Sequence, residues 1–312
     1  MPSSTITLLQ TGEWANRFVF RRPLALDNSL EPAISSANTI LQTIVGPPFA
    51  WPWNRAVTGF VCNPGQQDYT IFNWQATTPI TLGYVLVDSN GFSQQVTIAG
   101  TTGSSLPSFN ATVGMTTIDG GVTWTNKGSV GTTYFSTGYA FNWIETASVQ
   151  DTNPTTNLPE WKEMYPKINL ALESAKTLPK HISAQYEDVN GNITFRLMPA
   201  PVQAYPVSIT MQQKPPVFSA TSSLGLNQTW SPIPDSYSRL YNWGYLTLML
   251  MYADDARFQW ASQKFVANLL SSSQGLTDTE RNIVLNNWQQ ITGAPVSNAN
   301  KLQQGFQGKV QL

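Results

Sequence analysis

The sequence predicts an α+β fold: helices from both chain ends that join in one helical bundle, and between them an antiparallel β-sandwich carrying an inserted β-ribbon module. Three observations predict it. Apolar residues recur at helical spacing near the N-terminus and again over the C-terminal part of the chain. From about Thr58 to Val217 the texture is different, with short runs rich in Val, Ile, Thr and aromatics separated by Gly, Pro, Asn and Asp. Those runs follow one another without alternating helices, which argues against a doubly wound parallel sheet.

The first helix is read in "NSLEPAISSANTILQTIVGPP". Ser29 suits an N-cap and Glu31 the positive end of the helix dipole. Leu30, Ile34, Ala37, Leu41 and Ile44 share one face, Gly46 stands where a left-handed C-cap would, and Pro47 and Pro48 stop the helix. "FAWPWNR" then packs three aromatics around Pro52 as an anchor. Strands are read in "DYTIFNWQ", "LGYVLVD", "QQVTIAG", "GVTWTN", "YAFNWIETASV", "HISAQYED", "NITFRLMP" and "YPVSITMQQKPP". Asn190-Gly191 at the tip of "EDVNGNITFRLM" fits a type I′ hairpin turn. Trp161 to Leu178 reads either as a short helix or as an irregular strand.

Pro232 and Pro234 close the β region. Asp235 or Ser236 can cap the next helix, which runs through Ala253. A second C-terminal helix places Phe258, Ala261, Phe265, Val266, Leu269 and Leu270 on one face and ends at Gly275. "TDTE", Thr277 to Glu280, has capping-box spacing before a third helix lined by Val284, Trp288 and Ile291. The expected parts are therefore 1–57 and 232–294 for the bundle, 58–231 for the sandwich, and 295–312 for an extended tail that lacks periodicity and is not folded alone. Residues 93–131 form the inserted module, whose Gly/Ser-rich joints make it dispensable for folding.

Composition narrows the function. Charged residues are 11% of the chain, against roughly 25% in typical soluble domains, and the formal net charge of −1 gives no global field for nucleic acid or acidic lipid. Low charge with 12% aromatics fits a chain whose surface is covered by neighbours, or a β-rich extracellular-type domain. Cys62 is the single cysteine, so no intrachain disulfide forms. The opening "MPSSTITLLQTGEW" has no signal-peptide pattern. The most apolar stretch, "LYNWGYLTLMLMYADDARF", would rise roughly 21 Å as a helix from Leu240 to Ala253, short of the about 30 Å of a bilayer core. It is expected to be a helix buried on nearly every side.

Catalytic patterns are weak. His181, the one histidine, accompanies no G-x-S-x-G. No His/Cys cluster has zinc spacing, "DVNGN" fails as a calcium loop, and there is no phosphate-binding Gly loop. Asp254 and Asp255 are adjacent, so on a helix they diverge by about 100° and cannot face each other across a glycosidic bond. The eleven tryptophans are scattered and read as core.

"PPFAWPWNR", "FRLMPAPVQAYPVSITMQQKPP" and "WSPIPDSYSRLYNWGYLTLMLMYADDARF" together resemble tailed-bacteriophage neck proteins, the head-to-tail adaptors of the tail tubular protein A type. The module around "VTIAGTTGSSLPSFNATVGMTTIDGGVTWTNKG" resembles small β-ribbon units of phage virion proteins. The resemblance implies a structural virion protein assembled in the host cytoplasm. It would form a twelve-fold homo-oligomeric ring under the portal, join capsid to tail and line the DNA exit channel with non-specific DNA contacts. The bundle would dock on the portal, and the β part on tail tube, nozzle or fibre proteins. It implies no enzyme activity, catalytic residue, cofactor, metal or membrane. Interface candidates toward portal or neighbouring subunit are Tyr245, Tyr252, Asp254, Asp255 and Arg257, with Leu302, Phe306, Val310 and Leu312 in the tail. The alternatives are a virion carbohydrate-binding or tail-fibre-type module and a virion glycosidase.

Overall fold

The computed structural model describes residues 4–18, 31–131 and 140–293, apart from Asn169, Glu173 and Gln274. The described residues have mixed α+β structure, with five helices and one large, mostly antiparallel sheet. The chain divides into two compact units, Met1–Asn54 with Pro215–Leu312, and Arg55–Lys214.

The first unit is helical. α1 (Leu8–Asn16) opens with a capping box in which Gln10 N donates to Thr7 Oγ1 and Thr7 N to Gln10 Oε1. α2 (Ala33–Val45) buries Ile34, Ala37, Ile40, Leu41 and Ile44, the stripe read from the sequence; Ser29 and Leu30 lie outside the described residues. Glu31 steadies the first turn, accepting from Ser35 N at 3.3 Å and Ser35 Oγ at 2.6 Å. Gly46 is not a left-handed cap: its backbone is extended (φ −67°, ψ 162°). Glycine is needed there for space, because a Cβ would sit 2.6 Å from Gln42 O. Trp51 Nε1 donates to Ile44 O at 2.6 Å and so satisfies a carbonyl that the helix end leaves without an intrahelical partner. Phe49, Trp51 and Trp53 stack in series, as the anchor reading of "FAWPWNR" expects.

α3 (Ser238–Tyr252), α4 (Phe258–Ser272) and α5 (Asp278–Thr292) follow. α3 buries nine consecutive-to-near-consecutive positions from Leu240 to Leu250, so it is enclosed on nearly every side. Its Gly244 is the point of closest approach: a Cβ would come within 2.8 Å of Ile40 Cδ1 on α2 and 3.0 Å of Phe265 Cε2 on α4. α4 buries Ala261, Phe265, Val266 and Leu269. α5 starts at the expected capping box, Thr277 with Glu280, and Trp288 reaches α4 through Nε1 to Ser262 Oγ at 2.8 Å. Ile291 is 40% exposed, and Leu285 takes the core position instead. Asp235 does not cap α3; it sits in the 3-10 turn Asp235–Tyr237. There its carboxylate accepts from Thr5 Oγ1 and Ser4 Oγ, both at 2.7 Å, and from Thr5 N at 3.1 Å. Hydrogen bonds from Thr5 and then Ser4 hold that carboxyl below the usual range.

The expected limit of the β region at 231 moves to 214. Phe218 and Trp230 belong to the helical core. Trp230 stacks on Tyr241 at 4.6 Å and its Nε1 donates to Thr11 Oγ1 at 2.8 Å. The aromatics of 215–231 fill helix faces, so this segment joins the helical unit.

The second unit holds β1 (Arg55–Val61), β2 (Asp68–Ile71), β3 (Pro79–Ile80), β4 (Tyr84–Val87), β5 (Phe92–Ile98), β6 (Gly100–Thr101), β7 (Thr116–Asp119), β8 (Val122–Ser129), β9 (Phe141–Thr152), β10 (Pro159–Pro166), β11 (Lys176–Thr177), β12 (His181–Glu187), β13 (Ile193–Met198), β14 (Ala200–Pro201) and β15 (Pro206–Gln213). Eleven form one sheet in the order β1-β15-β9-β10-β12-β13-β2-β4-β5-β8-β7. Its ladders are antiparallel except β10–β12 and β2–β4. Alternation sets the core: in β15, Val207, Ile209 and Met211 are buried while Pro206, Ser208 and Thr210 are not. The ambiguous 161–178 stretch resolves into β10 and the short β11.

The Asn190-Gly191 hairpin is not type I′. Asn190 keeps negative φ, and Gly191 alone has φ +80°. Gly191 N donates to Asp188 O, Asp188 N to Asn192 O, and Asp188 Oδ1 accepts from Asn190 N and Asn192 N. This is a type I turn with a left-handed glycine forming the bulge. The same D-x-N-G device closes β4–β5: Gly91 has φ +79° and Asp88 Oδ1 accepts from Asn90 N and Phe92 N.

Residues 93–131 do not stand outside the sheet. β5 is hydrogen-bonded to β4, with Val85 opposite Gln95, and Val96, Val122 and Trp124 share a core with Phe72 and Leu86. Excision would strip that core, so the module is part of its unit and not a removable insertion.

Two substitutions test the helical packing. Leu41→Ala, at a site 1% exposed, should cost about 2–5 kcal/mol by urea titration. Gly244→Ala should also destabilise, although alanine is the better helix former by about 1 kcal/mol. Ile40 is fully buried and branched and Phe265 is rigid, so overpacking of about 1–3 kcal/mol outweighs the propensity gain. A Gly244→Ala variant with a raised urea midpoint would contradict the close approach.

Candidate functional site

Two regions combine exposure with specific side chains. The first is the corner after α3. Asp255 N donates to Leu250 O and Asp254 N to Met251 O, and Asp254 has φ +51°. This is a Schellman termination with Asp254 at the left-handed position where glycine is usual. Asp255 turns onto Arg257: its Oδ1 accepts from Arg257 N at 3.0 Å and Nε at 2.9 Å, and its Oδ2 from Nη2 at 2.6 Å. The pairing with Asp255 raises the Arg257 pKa further above its ordinary value. The carboxylates thus close one helix and set up the next. Tyr252, Asp254 and Arg257 are exposed and Asp255 half-buried, so these four can meet a partner. Tyr245 cannot: it is 1% exposed, because in the enclosed middle of α3 it serves the internal core, as Tyr241 does. Leu302, Phe306, Val310 and Leu312 lie outside the described residues.

An aromatic cluster on the helical unit carries no motif in the sequence. Trp14, Phe18, Trp243 and Trp260 contact one another with ring centroids 4.9–6.4 Å apart, and Trp260 is 43% exposed. These residues come from α1, α3, α4 and the turn after α1, so only folding brings them together. α1 itself was not read as a helix, although the Thr7-x-x-Gln10 capping spacing marks it.

The second region is a pocket of about 330 Å³ in the β unit. Phe72, Trp74, Phe109 and Leu86 supply apolar walls, and Asn73, Ser89, Asn90 and Ser108 polar groups. Its aromatic wall is held from behind by Asp119, which is 3% exposed. Asp119 Oδ2 accepts from Trp74 Nε1 at 2.9 Å and Trp124 Nε1 at 3.2 Å, and Oδ1 from Gly103 N at 2.7 Å. Trp124 in turn stacks on Phe72 and meets Phe109 edge-on.

No protein-family model matches this chain, and no curated protein matches it. The site is therefore read from its own geometry.

His181 and Cys62 both lie in the β unit. His181 starts β12 opposite Met198, and its buried Nδ1 has no hydrogen-bond partner. Cys62 is buried, its Sγ accepting from Tyr205 N at 3.3 Å, and burial pushes its thiol from 9.0 up to about 12. Such a thiol is protonated at neutral pH and inert as a nucleophile. Among the described residues no group of His, Cys, Asp and Glu is placed to hold a metal ion, and no helix is long and apolar enough to cross a membrane.

Two outcomes follow. Asp254→Gly should stabilise by up to ~1 kcal/mol and Asp254→Val should destabilise by ~1–2 kcal/mol, because the left-handed conformation is costly for a side chain and worst for a branched one; thermal melts of the three proteins check the order. Cys62 should resist Ellman's reagent at pH 8 until urea unfolds the chain. Because its folded pKa is raised, it favours the native state below pH 9 and this contribution is lost as pH rises from 9.0 to about 12. The urea midpoint should fall over that range, less steeply in Cys62→Ala.

Proposed function

We propose that this chain is a structural subunit of a tailed-phage neck, a head-to-tail adaptor that assembles as a twelve-fold ring beneath the portal. The observation that carries the reading is how much aromatic and apolar surface one sparsely charged chain leaves open. In the β unit Trp161, Tyr165, Ile168 and Leu172 are 37%, 58%, 93% and 69% exposed along β10 and the segment after it. The helical unit adds the Trp14–Phe18–Trp243–Trp260 cluster. Exposed aromatic and apolar side chains of this kind, here interspersed with Glu160, Glu163 and Lys167, fit interfaces covered by neighbours.

In this reading the helices form a bundle that meets the portal and the β unit a sandwich-like body that meets tail tube, nozzle or fibre proteins. Tyr252, Asp254, Asp255 and Arg257, and Leu302, Phe306, Val310 and Leu312, contribute to portal or subunit contacts. DNA passes with non-specific contacts, the protein is a virion component with no cofactor, and it is not an enzyme. The local use of Asp254 and Asp255 at a helix end supports the last point over a glycosidase pair. The second reading, a carbohydrate-binding virion module, draws support from the β-unit pocket.

Native mass spectrometry of the purified protein, alone and with portal rings, tests the adaptor reading. Twelve copies bound per portal ring is the expected result, with binding weakened when the chain is truncated after Ala294. A protein that stays monomeric and does not bind portal rings would overturn it.

A further inference from the structure

We infer that the β-unit pocket is a binding site for a neutral saccharide. The inference stands on the pocket itself and does not rest on the adaptor reading.

The pocket volume of about 330 Å³ falls within the ~300–1,000 Å³ range of small-molecule sites, and its mixture of aromatic walls with a few polar groups is typical of them. Its electrostatics narrow the ligand. Among the described residues no Lys, Arg or His lines it, so none of them neutralises a phosphate, sulfate or carboxylate. The one ionisable side chain among the described lining residues is Asp88, which is 3% exposed and already accepts from Asn90 N, Phe92 N and Gln94 Nε2 at 2.7–3.1 Å. With those donors satisfying it, Asp88 does not call for a cationic ligand; it fixes the rim of the pocket.

The remaining chemistry is flat carbon faces beside uncharged hydrogen-bonding groups. Phe72 is 3% exposed and stacked on Trp124, so the aromatic surface left for a ligand is that of the half-buried Trp74 and Phe109, whose π faces and edges carry partial charge and meet C–H groups favourably. Ser89 and Asn90 on the exposed β4–β5 turn, with Ser108 near the aromatic wall, offer hydroxyl and amide donors and acceptors. A pyranose has both an axial C–H face and a ring of hydroxyls. An apolar ligand would leave the amides unused, and a charged one would be desolvated without a partner.

The wall is also preorganised. Asp119 ties the indole N–H groups of Trp74 and Trp124 together and anchors Gly103 at the start of the 104–109 loop. Phe109, at the end of that loop, is held edge-on against Trp124 at 5.9 Å. Little ordering is left to accompany binding, which favours a weak polar ligand.

The test uses the full chain on a glycan array of neutral and acidic bacterial and eukaryotic saccharides, with titration calorimetry on the strongest neutral member. Binding should be confined to neutral glycans. Phe109→Ala should weaken it at least tenfold while Phe109→Tyr retains it, and Ser89→Ala/Asn90→Ala, on the exposed rim, should weaken it several-fold without changing the melt. If Phe109→Ala fails to fold, the rim variant decides. No array binding, binding to acidic glycans alone, or affinity unchanged in the rim variant and in a folded Phe109→Ala would overturn the inference.

Discussion

Gly244 is where α2, α3 and α4 come closest, and the helical unit is arranged around that approach. Without a side chain there, Ile40 and Phe265 both reach the α3 backbone. Phe265 then meets Trp288 at 4.5 Å, which draws α5 onto α4. On another face of α3, Tyr241 stacks on Trp230, whose indole holds Thr11 of α1. A helix apolar on every side needs such neighbours on every side. The chain obtains them from both of its ends and from the segment just after the β unit.

Four aspartates act as hydrogen-bond acceptors for neutral groups, while Asp68, Asp151 and Asp255 pair with Arg196, Lys162 and Arg257. Asp88 and Asp188 organise two copies of one turn. Asp119 gathers two indoles and a backbone amide, and Asp235 fastens the residues before α1. A buried carboxylate that accepts several N–H or O–H groups is satisfied without a cation. Acceptors of this kind help an 11%-charged chain keep its loops defined.

The two functional ideas use different surfaces. The adaptor reading draws on exposed apolar side chains such as Trp260 and Ile168, whose burial needs a large partner. The saccharide site is a recess with its own polar rim and rigid wall. The proposed assembly contacts and the pocket share no residue, so the two readings are compatible.

The sequence by itself determined what local chemistry decides. The 3.6-residue stripe of Ile34, Ala37, Leu41 and Ile44, the Thr277–Glu280 capping box, the alternation of Val207, Ile209 and Met211 and the enclosed nature of α3 were all legible, because spacing and caps act within a few residues. The α1 capping box was there to be read and was passed over. Tertiary structure decided the rest. It set Tyr245 inside the core, drew residues 215–231 to the helices, joined 93–131 to the sheet through β5, and moved Asp235 from a cap to a clasp on Ser4 and Thr5. It also built the pocket, bringing Trp74 to Asp119 across 45 residues. Such long-range pairings follow from which faces are left to cover once every element has formed, and no local spacing records them.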